Sequence, residues 1–464
     1  MTRSSERIVL PGVSQDAQAA LDRTLAQLNA KAERNILRAG FYDGRRVAKM
    51  VGTVIPPIYQ KLALVLGWSA KGVDLLARRC NLDGFTWPDG DLDSLGLRAV
   101  WDGNMLGSET NQGITEALIH ATTFIVTTKG VEGEPPALIH FRDAMSATGE
   151  WNPRTRHLDN LLSVTGRDVK GKVTSLALYL PNLTISAERD GTTRGGWNID
   201  QQDHPWGVPA EVMAYKPRLR RPFGSSRISR PVMSLQDQAT REVLRLEGHM
   251  DVFSFPEMWM LGADESIFKD SSGAVRPTWQ VMLGRIKGLP DDEDAAQPRA
   301  DVKQFPASDP TPHLAALNAF AKMMSRELSL PDTALAITDV ANPTSAESYD
   351  SSQYELIHEA EGATDDWSPA LRRSLMRALA MANGLDAVPA EWATIDSKWR
   401  NPRYLTRSAQ ADAGQKQLAS VPWLADTKVG LELLGLTSQQ IDSALSEHRR
   451  ATSSSVLDRL LAKP

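Results

Sequence analysis

Four serines crowd one short polar segment of the sequence, ANPTSAESYDSSQ (residues 341–353), beside two carboxylates and a tyrosine. A serine nucleophile needs a general base within hydrogen-bonding reach, usually a histidine. His358 is near in sequence, but it would lie on the same helix as these serines. The alternative is that Asn342-Pro343 opens a turn and that Ser345 caps a helix. We favour the helix cap and predict no serine nucleophile here.

The rest of the sequence lacks the common motifs of catalytic and cofactor sites. It has no glycine-rich dinucleotide or phosphate loop and no GxSxG nucleophile motif. Its eight histidines never lie three or four residues apart, and Cys80 is its single cysteine, so zinc binding by familiar spacing is not predicted. The sequence therefore predicts no catalytic residue, no metal site, no cofactor and no enzymatic activity.

A basic run, KPRLRRPFGSSRISR (residues 216–230), could bind phosphate. It holds six Lys or Arg residues. Such a run is either a solvated connector paired with carboxylates elsewhere or a surface for the phosphate backbone of a nucleic acid. For the second reading the candidate residues are Arg218, Arg220, Arg221, Arg227 and Arg230.

Length and composition limit the class of protein. At 464 residues and 41% hydrophobic residues, the chain can form a substantial core. The single cysteine excludes an internal disulfide framework and suits a reducing compartment. The N-terminus lacks a signal-peptide pattern, and no apolar run approaches the roughly 18 residues of a membrane helix. We therefore expect a soluble intracellular protein, or part of a particle assembled in a cell, with no membrane partner.

Three helices must position these residues. Apolar residues recur at helical spacing over 229–256, with Ser229 as a plausible N-cap, and again over 308–330. A third pattern runs from about 345 to 382 and continues across Pro369, which predicts one long kinked helix. Strands and turns dominate residues 138–214, so the fold class is α+β.

The second helix has small residues where a solvent-facing helix usually carries charge. No charged residue precedes Lys322 on that face, and small side chains let helices approach closely. We therefore predict that both faces are packed, one of them against another subunit. The residues of this packing are Leu314, Ala315, Ala316, Leu317, Ala319 and Phe320.

Several motifs in the correct order resemble one family. They are FYDGRR (41–46), GVDLLARRCNLDGF (72–85), the segment beginning SRISRPVMSLQDQ (226–264), LSLPDTALAITDVANPTSAESYDSSQYELI (328–357) and the segment beginning WRNPRYL (399–441). Together they resemble SPP1-type (Gp6-like) portal proteins of tailed bacteriophages, and the last resembles actinophage-like members. The stretch 342–346 has Thr344 where the family more often has Ser, which preserves a hydroxyl.

The resemblance implies a portal fold with named regions, assembled as a ring. The implied regions are a wing (1–228), a stem helix (229–256), a clip (257–307), a second stem helix (308–331), a tunnel loop (332–344), the long kinked helix (345–384) and a helical crown (385–464).

The resemblance also implies the function and the partners. A ring of about twelve subunits would form a channel at the unique capsid vertex for packaging and ejecting double-stranded DNA, without sequence specificity. The implied protein partners are the terminase large subunit, a head–tail adaptor, and the major capsid and scaffold proteins. The protein would be located in the virion, at the portal vertex, and in the host cytoplasm during assembly.

On this reading the opening segment lies near the narrowest part of the channel. The implied channel residues are Thr338, Asp339, Asn342, Pro343, Thr344 and Ser345. Residues 332–353 contain no Lys or Arg but four carboxylates, a composition that discourages DNA from sticking. The alternatives are a serine or carboxylate hydrolase with a helical lid and another head–tail connector protein.

Overall fold

The computed structural model describes residues 7–45, 65–190, 196–253, 258–261, 286–289, 301–304, 308–336, 351–403 and 407–461. The chain forms two compact units, Met1–Arg400 and Asn401–Pro464. Among the described residues, no helix combines the length and the apolar character needed to cross a membrane.

A long N-terminal helix, α1 (Gln15–Tyr42), packs on a five-stranded antiparallel sheet. Ser14 caps the helix, since its side chain accepts a hydrogen bond from Ala17 N. Leu21 and Leu28 of the helix pack with Leu162 and Leu178 of the sheet. The strands lie in chain order, β4 (Ala147–Asn152), β5 (His157–Arg167), β6 (Val173–Leu180), β7 (Leu183–Arg189) and β8 (Trp197–Asp203).

The other face of this sheet packs on a second sheet of three antiparallel strands. Leu161 and Tyr179 point into a core shared with Phe124 and Val126. The strand order is β3-β2-β9, with β3 at Ala137–Asp143, β2 at Thr122–Lys129 and β9 at Ala210–Ala214. Strand β2 is central and almost entirely buried because helices cover its far side. This layering explains the apolar runs in β2 and β5, which are buried on both faces.

The main hydrophobic core lies between the three-stranded sheet and a group of helices. These helices are α2 (Trp68–Ala77), α3 (Leu97–Gly103), α4 (Leu106–His120) and α7 (Tyr354–Ala382). Cys80, which follows α2, is fully buried, and its Sγ lies 3.9 Å from the carbonyl oxygen of Ala360 in α7. Burial raises the pKa of this thiol to about 12.

Two helices, α5 (Arg230–Phe253) and α6 (Thr311–Glu327), pack against each other. They confirm the helices predicted over 229–256 and 308–330. Residues 254–256 lie outside the described part of the chain. Ser229 caps α5 as predicted, since its Oγ accepts a hydrogen bond from Val232 N at 3.3 Å. Three short strands between the helices, β10 (Met258–Leu261), β11 (Ile286–Leu289) and β12 (Asp301–Gln304), form a sheet in the order β11-β10-β12.

The long helix predicted across Pro369 is present as α7, which runs 29 residues with the proline inside it. Its predicted first residues, 345–350, lie outside the described part of the chain. Residues 385–400, predicted as the start of the C-terminal helical region, belong to the first compact unit. Strand β13 (Asp396–Trp399) pairs with β1 (Leu82–Thr86), which ties this stretch to the first unit. The second unit contains α8 (Arg407–Ser420), α9 (Lys428–Leu433) and α10 (Ser438–Leu461).

Candidate functional site

The predicted channel residues lie outside the described part of the chain. They are Thr338, Asp339, Asn342, Pro343, Thr344 and Ser345, all within residues 337–350. The structure does describe the chain on both sides of this segment, at 308–336 and at 351–403. The site can therefore be built from the side chains that hold the two ends of the segment.

The centre of this site is Arg227, whose side chain is only 2% exposed. Its Nε donates to the carbonyl oxygen of Gly72 at 2.8 Å, and its Nη1 donates to the Tyr215 hydroxyl at 3.0 Å. Nη1 also lies 2.7 Å from Glu359 Oε2, and Nη2 donates to the carbonyl oxygen of Leu328. We call Arg227, Glu359, Tyr215 and Lys216 the arginine hub. The hub joins α2, the end of β9, the end of α6 and the second turn of α7.

Glu359 is the one carboxylate of the hub, and three neighbours share it. Lys216 Nζ pairs with it and the Tyr215 hydroxyl donates to it. Burial alone would raise the pKa of Glu359, but the charge of Arg227 and hydrogen bonds from its neighbours outweigh burial and lower the pKa to about 2. Burial raises the pKa of Tyr215, so its hydroxyl stays protonated and can donate. The hub is therefore a buried ion pair of Arg227 and Glu359 in which Glu359 Oε1 accepts hydrogen bonds from Tyr215 and Lys216, while Oε2 is held by the charge of Arg227 without a hydrogen bond.

This pKa predicts an acid-sensitive stability. Glu359 has an ordinary pKa of 4.5, which falls to about 2 in the folded chain. Its contribution to the free energy of unfolding is then complete above pH 4.5 and is lost as the pH falls from 4.5 towards 2, on the order of 3 kcal/mol. We expect Glu359→Gln to be less stable at neutral pH but to lose less stability in this window. Guanidinium denaturation at several pH values measures the difference, with the exposed Glu355→Gln as the matched control. Equal acid dependence in wild type and Glu359→Gln would contradict the assignment.

Two cations near α2 hold the flanks of residues 337–350. Lys71 Nζ donates to the carbonyl oxygen of Ala334 before the segment. Arg79 Nη2 donates to Gln353 Oε1 at 2.7 Å after the segment, and the Gln353 side chain is buried. Together with the contact of Arg227 to Leu328, these bonds fix both ends on α2 and the arginine hub.

Gly72 permits this arrangement because α2 and the end of α6 approach closely. A Cβ at position 72 would lie 2.5 Å from Leu328 Cδ1, closer than side chains tolerate. Any larger residue would therefore require the buried Leu328 side chain to move. Sequence reasoning did not identify Gly72, Lys71, Arg79 or Glu359 as site residues, since the motif GVDLLARRC served only to indicate the family.

The structure separates the predicted basic run into two groups. Arg218, Arg220 and Arg221 are exposed on the loop that follows β9, and Arg230 is exposed at the start of α5. Arg227 requires a correction. It is buried and bonded to four elements of its own chain, so it is not available to a phosphate.

The predicted inter-subunit residues of α6 also fall into two groups. Leu317 is 2% exposed and packs into the chain's own core, so its packing is intramolecular. Leu314, Ala316 and Phe320 are half-buried, while Ala315 and Ala319 are exposed. A polar bridge on the α5 side, His313 Nδ1 to Glu242 Oε1 at 2.7 Å, joins α6 to α5. Of the six residues predicted to pack against another subunit, Ala315 and Ala319 are therefore the exposed ones.

The predicted absence of a serine nucleophile can be examined only at the end of the opening segment. His358 is 77% exposed; it stacks on Tyr354, with ring centroids 6.2 Å apart, and its Nδ1 lies 3.9 Å from Glu361. Within the described residues, no set of three or more His, Cys, Asp or Glu side chains could hold a metal ion.

Comparison with known proteins gives one family and two curated relatives. The family described as "Phage portal protein, SPP1 Gp6-like" matches residues 30–453. The portal protein of Mycobacterium phage L5 is 24% identical over 425 residues, covering 88% of this chain and 84% of that protein. The portal protein of Mycobacterium phage D29 is 25% identical over 419 residues, with the same coverage of each.

Solved structures give weaker similarities. A chain from the neck of a native gene transfer agent particle, computed with C12 symmetry, matches 85% of this chain and 98% of its own length at 13% identity and a TM-score of 0.40. A chain from the neck of an empty particle, computed with C6 symmetry, matches 84% of this chain and 93% of its own length at 13% identity and a TM-score of 0.42.

Proposed function

The chain belongs to the SPP1 Gp6-like family of phage portal proteins, and from this premise we propose that copies of it assemble into a ring of about twelve subunits around a channel for double-stranded DNA. The resemblance predicted from the sequence is thus confirmed, including its actinophage-like character, since the relatives are mycobacteriophage portal proteins. A phage portal protein is a structural part of the virion and not an enzyme. The hydrolase alternative and the alternative of another connector protein are therefore both wrong.

The channel proposal rests on one observation: side chains of the same chain hold both ends of residues 337–350. Lys71, Arg79 and Arg227 hold the two flanks of this segment. The segment itself contains no Lys or Arg. A loop that lets DNA slide needs firmly held ends and no cation that would bind phosphate in every register. We assign residues 332–344 as the tunnel loop, with Thr338, Asp339, Asn342, Pro343, Thr344 and Ser345 facing the channel.

The remaining regions receive assignments on the family pattern. The proposed wing is residues 1–228, the stem is α5 and α6, and the clip lies between them at 257–307. The crown is restricted to 401–464 because residues 385–400 pack in the first unit. The clip would dock the terminase large subunit and later the head–tail adaptor. The wing would contact the major capsid and scaffold proteins at the portal vertex, after assembly in the host cytoplasm.

The small-residue face of α6 supports a contact between stems in the ring. Ala315 and Ala319 are exposed in the single chain and lie one helical turn apart. Helices approach closely where side chains are this small. We propose that the neighbouring subunit's stem covers this face.

One variant tests the ring and the channel together. Replacing Asn342 and Thr344 by Lys adds two cations to every copy of the loop, and each can hold a phosphate. We expect rings of unchanged mass by native mass spectrometry, but at least a roughly tenfold fall in nuclease-protected DNA per assembled head, because the added contacts oppose sliding.

The control for this experiment is Val169→Lys together with Lys170→Arg, on an exposed turn between β5 and β6. It should leave both readouts unchanged. Wild-type protein that stays monomeric in the presence of scaffold would contradict the ring. Normal packaging by the Asn342→Lys, Thr344→Lys variant would contradict the channel assignment while leaving the ring intact.

A further inference from the structure

A groove of about 1070 Å³ runs between the loop after β9 and the middle of α7. Its lining includes five arginines, Arg156, Arg218, Arg220, Arg221 and Arg373, and we call it the arginine groove. Arg373 is paired with the buried Glu211 at 2.8 Å. Within the part of the chain that the structure describes, the other four form no ion pair with a carboxylate. Asp366 also lines the groove, so five arginines face one carboxylate there and the groove carries a net positive charge.

Helix α1 adds more positive charge beside Arg221. Lys31, Arg34 and Arg38 recur at helical spacing, and the Lys31 Nζ lies 5.1 Å from the centre of the Phe223 ring. Burial and the nearby charge of Arg34 lower the pKa of Lys31 to about 8. Burial, Arg34 and Arg221 lower the pKa of Arg38 to about 10. Partial burial of these cations is unfavourable in the isolated chain, so a permanently bound acidic partner would relieve it.

The apolar part of the groove favours a protein partner over a phosphate backbone. Leu219 is fully exposed between two arginines, and Trp151, Pro217 and Pro222 also line the groove. Aromatic residues and Arg are enriched at protein interfaces, where an exposed leucine gains apolar contacts. DNA phosphates offer no surface against which Leu219 could pack.

A complementary surface lies on the first half of α7. Glu361 and Asp365 are exposed there about one helical turn apart, and we call them the acidic ridge. Tyr354 lies at its start and is 62% exposed, with its ring stacked on His358. The ridge therefore combines carboxylates with an exposed aromatic ring, the counterparts of the arginines and Leu219.

The ridge and the groove face different sides of the subunit. On a helix of 3.6 residues per turn, Glu361 and Asp365 point about 80–140° away from Asp366 and Arg373, which line the groove. A head-to-tail contact in a closed ring joins two different surfaces of identical subunits. The two sides of α7 meet this requirement.

We propose that the arginine groove of one subunit binds the acidic ridge of the next copy in the ring, with Leu219 packing near Tyr354. This inference rests on the ring of the proposed function and adds the residues that bring neighbouring subunits together. The positive charge of α1 strengthens the field at the groove from the side of Arg221.

Charge exchange tests the proposal. Arg218→Glu with Arg221→Glu, and separately Glu361→Arg with Asp365→Arg, should each reduce the fraction of protein in rings at least tenfold by native mass spectrometry. All four substitutions together should restore rings, because the attraction between the surfaces is re-established with reversed sign. Arg98→Glu with Lys170→Glu makes the same charge change at exposed positions outside both surfaces and should leave rings unchanged.

The outcomes separate this proposal from the ring itself. If wild-type protein forms no rings even with scaffold, the proposed function fails. If wild type forms rings and either reversal leaves them unchanged, the contact proposed here is wrong. Loss of DNA binding by Arg218→Glu, Arg221→Glu rings of normal mass would assign the groove to phosphate and overturn it. Failure of the fourfold variant to form rings, with a denaturation midpoint equal to that of wild type, would also overturn it.

Discussion

Replacing Arg227 by Met is expected to lower the free energy of unfolding by about 3–5 kcal/mol, because the change leaves a buried carboxylate without its partner. Glu359 is 7% exposed and would keep only Lys216 and Tyr215 as neighbours. The carbonyl oxygens of Gly72 and Leu328 would also lose their donor.

The measurement is guanidinium denaturation followed by tryptophan fluorescence, with all variants at equal protein concentration because association shifts apparent stability. Arg230→Met is the matched control, since Arg230 is exposed three residues away and should change stability by less than about 0.5 kcal/mol. The double variant Arg227→Met, Glu359→Leu should be more stable than Arg227→Met alone, because it removes the unpaired charge. A double variant with fully additive losses would show that the two side chains are not coupled.

Replacing Trp367 by Ala is expected to cost about 3–5 kcal/mol, in the range for large aromatic side chains removed from a core. Trp367 is fully buried in α7, and its Nε1 donates to the carbonyl oxygen of Ala214 at 3.0 Å. Its ring lies 6.4 Å from that of Tyr215 and 6.5 Å from that of Trp399, measured between centroids. The substitution therefore leaves a cavity between β9 and α7 and an unpaired carbonyl.

Trp423→Ala provides the comparison for Trp367→Ala. Trp423 is 69% exposed and belongs to the second unit, so its removal should change stability by less than about 0.5 kcal/mol. Trp367→Phe should fall between the two because it retains most of the apolar volume. A loss below about 1 kcal/mol for Trp367→Ala would mean that α7 contributes little to the core, contrary to its burial.

Helices α5 and α6 could be predicted from the sequence because their buried residues follow a local helical pattern. Leu317, Met324 and Leu328 recur at helical spacing, and all three are buried in the folded chain. One long helix could be predicted across Pro369 because the apolar spacing continues on both sides of the proline. The exposed end of α5 shows the limit of such patterns, since Met250 continues the apolar spacing but is 51% exposed.

The role of Arg227 could not be predicted because it depends on contacts far apart in sequence. A run of six cations indicates a basic surface, but burial of one of them is decided by Gly72, Leu328 and Glu359. Strand β13 could not be predicted from the sequence either, because it also depends on a contact far away in the chain. Four residues, DSKW, carry no clear alternation, and their pairing with β1 spans about three hundred residues. The tunnel-loop residues remain predictions from the family resemblance and the held ends of the segment.

Because Cys80 is the single cysteine of the chain, the rate at which a thiol-reactive dye labels it measures how often the structure around it opens. Cys80 lies buried between the end of α2 and α7, beside the elements that hold the two ends of residues 337–350. Only the thiolate reacts with alkylating dyes, and burial keeps Cys80 protonated and shielded. Labelling must therefore wait for α7 to separate from α2, and with no second thiol the reaction has one phase to interpret. Its rate, compared with that of a free thiol, gives the free energy of this local separation in the intact protein.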